Sequence, residues 1–99
     1  MKINNKQNGN GGYIDLIKEE DKNTDVGRLT YTIVPDEKKL IISYVMVFLD
    51  FVGRGMGKFL VEAAIEFARN NGWKIYPHCS YARSVMNRMN DVEDILLQN

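Results

Sequence analysis

Leu29, Tyr31 and Ile33 alternate with Thr30 and Thr32 in RLTYTIV, Arg28 to Val34. A period of two with β-branched and aromatic residues predicts a half-buried strand. YIDLIKE, Tyr13 to Glu19, alternates more loosely and predicts an earlier strand, with the charged loop EEDKNTD, Glu19 to Asp25, between the two. Pro35-Asp36-Glu37-Lys38 predicts a turn, because proline presets φ and aspartate hydrogen-bonds to the local backbone. The run KLIISYVMVFL, Lys39 to Leu49, is nearly continuous in apolar residues. That is the pattern of a central strand covered on both faces.

Periodicity changes after the glycines that follow. Met56, Phe59, Leu60, Ala63, Ala64, Phe67 and Ala68 keep helical spacing, predicting a helix over Met56–Asn70. Gly72 stands where a left-handed cap is wanted. WKIY, Trp73 to Tyr76, reads as a further strand ended by Pro77. Ser80 is a plausible N-cap for a last helix carrying Val85, Met89, Val92 and Leu96 on one stripe. The strand–helix–strand portion implies a parallel pair joined by a right-handed crossover. The predicted fold class is α/β (α+β), with a mixed, mostly antiparallel sheet of about four or five strands. A long helix follows the glycine turn, and a second helix lies near the C-terminus. Residues 1–12 read as a polar, flexible lead, and residues 13–97 as one domain.

Size and charge narrow the classes. The chain has 99 residues, enough for one small core, and its hydrophobic fraction of 44% includes no run long enough to span a bilayer. Thirteen basic and thirteen acidic residues cancel, which argues against a general nucleic-acid binder. One cysteine excludes an internal disulfide framework, and no apolar signal stretch opens the sequence. The expected location is cytoplasmic. With one histidine beside one cysteine, no metal site is expected. The acidic residues Glu19–Asp21 and Asp91–Asp94 read as solvated.

The chemistry concentrates in VGRGMGKFL, Val52 to Leu60. It is not a P-loop: Phe59 follows Gly57-Lys58 where a hydroxyl residue is needed, and Val52 replaces the first glycine. Nor is it the dinucleotide fingerprint, since Lys58 occupies the third glycine position. What remains is a glycine-rich turn at a helix start, with Arg54 and Lys58 adding charge. Backbone N–H groups there could hold a pyrophosphate. The same residues could equally form a tight strand-to-helix turn with two solvated cations.

The stretch Val52-Gly53-Arg54-Gly55-Met56-Gly57 resembles motif A, [QR]-x-x-G-x-[GA], of the GNAT superfamily of acetyl-CoA-dependent N-acetyltransferases, with Val52 in place of the leading Gln/Arg. The order of elements is similar too. YPHCSYARSVMNRM followed by VEDIL resembles a small GNAT-like subfamily with a P-x-C-[SW]-[FY] segment. The likeness spans about Tyr13 to Leu96 and implies a truncated GNAT fold. It implies acetyl-CoA or coenzyme A as cofactor, its pantetheine lying between Tyr44–Phe48 and Ile75–Cys79. The backbone of Val45, Met46 and Val47 would pair with the pantetheine amides. Gly53, Arg54, Gly55, Met56, Gly57 and Lys58 would hold the pyrophosphate.

Three residues are catalytic candidates. Cys79, at a strand end before a helix, could accept an acetyl group, shape the acetyl pocket, or be a small buried hydrophobe. His78 could act as a general base, or stand as a surface or half-buried histidine. Tyr81 could protonate a leaving thiolate, as a tyrosine does in many superfamily members, or serve as core with one wet edge; Tyr44 is the other tyrosine near the presumed site. Met86 and Met89 read as core.

Only Glu20 to Val26 separates the first two predicted strands, too short for the helix pair that walls the acceptor side in full-length superfamily members. The acceptor side is therefore expected to be open, or completed by a second chain. Three functions stand: acetyl transfer to a small amine or a protein lysine; an acetyl-CoA-binding module or sensor without turnover; and a scaffold without cofactor. The expected partners exclude nucleic acid and membrane, and the expected state is a monomer or weak dimer.

Overall fold

The computed structural model describes residues 1–20 and 23–97. Asp21 and Lys22, part of the charged loop expected over Glu19–Asp25, lie outside the described residues. Five strands form one sheet in sequence order: β1 (Lys2–Asn8), β2 (Gly11–Lys18), β3 (Thr24–Val34), β4 (Lys39–Val47) and β5 (Lys74–Pro77). β1 to β4 pair antiparallel. β4 and β5 pair parallel, joined through helix α1 (Met56–Asn71); helix α2 (Ser80–Asn87) follows β5. The mixed α+β architecture expected from the sequence is the one observed.

Alternation sets the two faces of the sheet. Ile14, Leu16, Leu29, Tyr31, Ile33, Leu40, Ile42 and Ile75 point one way and are buried. Against them pack Leu60, Val61, Ala64 and Ala68 of α1 and Ala82, Val85 and Met86 of α2, in one continuous core. Both helices cover the same face. The double covering expected for β4 is thus corrected: only its Leu40 and Ile42 positions are fully buried, while Ile41 and Ser43 are half-buried and Tyr44 is exposed. An antiparallel sheet tolerates one wet face because its hairpin connections need no crossover helices. On that face the Arg28 Nε donates to Asp15 Oδ1 at 2.6 Å, and the guanidinium lies 3.8 Å from the Tyr13 ring centroid.

Sequence expectations fail at two further places. The lead expected to be flexible forms β1, paired with β2 over seven positions. Its polar composition hides it, because an edge strand is held by backbone bonds and needs little apolar surface. Tyr31, buried in the core, donates its hydroxyl to Asn5 Oδ1 at 2.7 Å and ties this edge inward. Burial pushes the Tyr31 phenol above the ordinary tyrosine value. Phe67 stacks against Tyr31 and Trp73, each centroid separation being 5.4 Å.

The second concerns the stripe from Val85 to Leu96, expected on one helix. α2 ends at Asn87, and Val92 and Ile95 reach the core from the tail beyond it. Ile75 N–H donates to Ile95 O and Leu97 N–H donates to Ile75 O, both at 2.7 Å. The tail thereby fills hydrogen-bonding positions on the outer edge of β5 that a longer helix would leave empty. Ser80, expected as an N-cap, is the first helical residue; Cys79 occupies the cap position without a side-chain bond.

Candidate active site: a cleft where two parallel strands part

β4 and β5 stay paired only from Lys39↔Lys74 to Ile42↔Pro77. One further link, Cys79 N–H to Ile42 O at 3.1 Å, closes the contact. β4 then runs on to Val47 with no strand among the described residues paired to it on that side. Backbone direction follows from the β3 register. Phe48 N–H donates to Val26 O at 2.9 Å, and Met46 O lies 2.6 Å from where a Cβ on Gly27 would stand. Met46 therefore faces β3. By the alternation of an antiparallel ladder, Val45 and Val47 turn their N–H and C=O groups into the gap. Of the three backbone positions expected to meet pantetheine, two are presented and Met46 is not.

At the mouth of the gap, a single 3₁₀ turn, Leu49–Phe51, leads into the glycines. Gly53 and Gly55 have φ of +83° and +77°, values that L side chains rarely adopt. A Cβ on either would meet nothing within 4 Å, so the space over this corner is clear. Gly55 is the N-cap of α1 and offers no side-chain cap; its carbonyl accepts from Phe59 N–H at 3.1 Å. The N–H groups of Met56, Gly57 and Lys58 are left pointing from the positive end of the helix. Arg54 and Lys58 are exposed, and no ion pair within the described residues engages either.

A cleft of about 340 Å³ joins these parts; Val45, Val47, Gly53, Gly55, Met56 and Gly57 all line it. Phe51 and Val52 add apolar walls that sequence reasoning did not assign to the site. Their only signal was an apolar pair immediately before the glycines. The far wall is Tyr81 at the start of α2. Its phenol occupies the place that a Cβ on Gly57 would need, so the missing side chain of Gly57 admits the ring against the first turn of α1. Tyr81 remains 43% exposed, with its hydroxyl at the cleft.

The other two catalytic candidates stand apart from these walls. Cys79 is half-buried against the core, and His78 is exposed with its ring 6.4 Å from that of Tyr76. The structure brings Tyr81 together with the glycine corner and the free edge of β4, and leaves His78 and Cys79 on the β5 side. No helix among the described residues is long and apolar enough to cross a membrane.

Residues 16–95 match the GCN5-related N-acetyl-transferase family, and the chain belongs to that family. Among solved structures, it is similar to the NMR solution structure of a GCN5-like candidate N-acetyltransferase from Staphylococcus aureus. Identity there is 28% over 97% of this chain and 89% of that one, with a TM-score of 0.70. It is also similar in fold to the crystal structure of nourseothricin acetyltransferase, at 20% identity and a TM-score of 0.61, over 83% of this chain and half of that one. No curated protein matches the sequence significantly.

Proposed function

We propose that the chain binds acetyl-CoA in this cleft and transfers the acetyl group to an amine. One observation carries the reading: the unpartnered backbone of Val45 and Val47 and the uncapped first turn of α1 line a single cleft. The fit can be judged from the corner itself. Phosphate oxygens need donors and room; the N–H groups of Met56, Gly57 and Lys58 offer the first, and the clear space over Gly53 and Gly55 the second. Arg54 and Lys58 add charge. Val45 and Val47 supply strand-like pairing for the amides of a pantetheine arm.

When bound, the cofactor supplies an acetyl thioester, an electrophilic carbonyl with a thiolate leaving group. A β4 N–H would polarise that carbonyl. Tyr81 would give its hydroxyl proton to the departing sulfur as the new C–N bond forms and the C–S bond breaks. The amine would enter deprotonated from the uncovered side of the sheet, and the proton its nitrogen sheds as the amide forms would return through water to the Tyr81 phenolate. The acceptor is a small amine or a lysine side chain. A cytoplasmic setting and a monomeric or weakly dimeric state complete the reading.

Titration with acetyl-CoA, followed by amide chemical shifts, tests the site. Shifts should concentrate at Gly53–Lys58 and at Val45 and Val47; their absence at saturating cofactor would overturn the proposal. A panel of amines read by mass spectrometry then separates transfer from binding alone. Intact mass without acceptor shows whether Cys79 takes an acetyl group.

A further inference from the structure

Large apolar side chains stay exposed where the cleft opens at one end of the sheet. Tyr44, on β4, is 59% exposed; Phe48 and Leu49 follow that strand, and Leu49 is 87% exposed. Leu49 opens the 3₁₀ turn that leads to the glycine corner. None of the three lines the cleft, yet Val45 and Val47, which stand between Tyr44 and Phe48 in the chain, both do. The start of β3 reaches the same end, since Phe48 N–H donates to Val26 O and Asp25 precedes Val26. Asp25 and Asp50 are exposed, and neither is in an ion pair within the described residues. The cations nearby are already engaged. Arg28 is held by Asp15, with Asp25 as a further negative neighbour, and Lys18 bridges to Glu20 at 2.9 Å. The lip of the cleft is thus apolar and carries surplus negative charge.

We infer that this lip docks a basic, apolar stretch of polypeptide and so presents a lysine of that polypeptide to the cleft. The inference rests on the proposed acetyl-transfer reading and narrows its acceptor. Exposed apolar side chains set close together mark a surface that a macromolecule covers. A small amine entering the gap would leave Tyr44 and Leu49 in water, whereas a chain segment lying across them buries both. Charge sets the sign of that segment: the carboxylates of Asp25 and Asp50 draw cations and repel an anionic partner. Chain geometry sets its spacing. Asp50 stands three residues beyond Val47 at the gap, a reach of at most about 11 Å. An extended segment covers that distance in about three residues. The segment that fits therefore carries a second cation at the third position from its lysine, with an apolar residue between them.

Titration of the whole chain with peptide alone, followed by amide chemical shifts, reads docking apart from turnover. The probe is a short synthetic peptide with blocked ends, one lysine, a leucine, and an arginine at the third position beyond the lysine. Its counterpart carries glutamate in place of the arginine. The arginine peptide should shift Tyr44, Phe48 and Leu49 and bind about tenfold more tightly than the glutamate peptide. Asp50→Lys should erase that preference, and Leu49→Ser should weaken both peptides while leaving coenzyme A binding as it was. Both side chains are exposed, so the fold should survive, as circular dichroism will show. Equal affinity for the two peptides overturns the inference. So does spermidine that shifts the same resonances as strongly, or co-sedimentation with phosphatidylserine vesicles that Leu49→Ser abolishes. The acetyl-CoA reading is scored separately. Cofactor shifts at Gly53–Lys58 with no peptide shifts at the lip overturn the docking alone. Docking with no acetyl group gained by the peptide lysine when acetyl-CoA is added keeps the lip and overturns the transfer.

Discussion

The two ends of the sheet use the same strand geometry in opposite ways. Between β1 and β3, backbone ladders run along the strands with one register shift, at Leu16/Ile17, and the Tyr31 hydroxyl finds Asn5 across β2. Between β4 and β5, four paired positions give way to a gap, and a helix begins with no side-chain cap. In the first region polar groups pair with one another between strands. In the second they are left for something else. A buried polar group without a partner is costly, so donors and acceptors left over in a cleft mark where a ligand would complete the hydrogen bonding.

Substitutions can break this contrast, the largest effect first. Tyr31→Ala removes a fully buried ring together with the Asn5 tether and should cost about 3–5 kcal/mol by denaturant unfolding. The hydrogen-exchange protection of β1 should fall furthest. A loss under 1 kcal/mol would mean that the β1 end is not held through Tyr31.

Gly55→Ala meets no neighbouring atom, so its cost is conformational. A φ of +77° should make it about 1–2 kcal/mol, with acetyl-CoA affinity reduced as the corner reshapes. Gly57→Ala is the sharper probe. Its Cβ would meet the far end of a half-exposed ring that is able to swing, so stability should change by less than about 1 kcal/mol. Tyr81 should nevertheless be displaced and transfer slowed at unchanged cofactor binding, giving a fall in kcat with little change in KM. An unaltered kcat would remove Tyr81 from the chemistry.

The smallest effect is electrostatic. Arg69 donates to the Asp94 carboxylate at 2.9 Å, and this bond holds the Asp94 carboxyl below its ordinary value. With the folded pKa depressed, the contribution is present above the unfolded aspartate pKa and is lost as pH falls through the folded value. Asp94→Asn should flatten the acid limb of stability slightly and leave ligand binding unchanged. The pair is exposed, so salt should weaken it.

Legibility followed the strength of local pattern. The helix over Met56–Asn71 was evident because an amphipathic stripe and a glycine cap agree. β1 was not, since KINNKQN has no alternation worth the name and owes its place to its neighbours. The glycine corner was visible as a phosphate-compatible turn. That Val45 and Val47, but not Met46, face the gap depends on the register with β3, which includes a shift at Thr30/Tyr31. The Gly57–Tyr81 contact joins residues 24 apart, and nothing local to either signals it.

The order of most elements, the start of α1 and the family likeness were determined by the sequence itself, because periodicity, capping and glycine placement act over a few neighbouring residues. Only the tertiary structure decided where β4 and β5 part, just past Ile42, that both helices cover one face, and that the tail turns back along β5. Those outcomes depend on which distant backbone groups find partners, and that competition is settled only when the whole sheet is assembled.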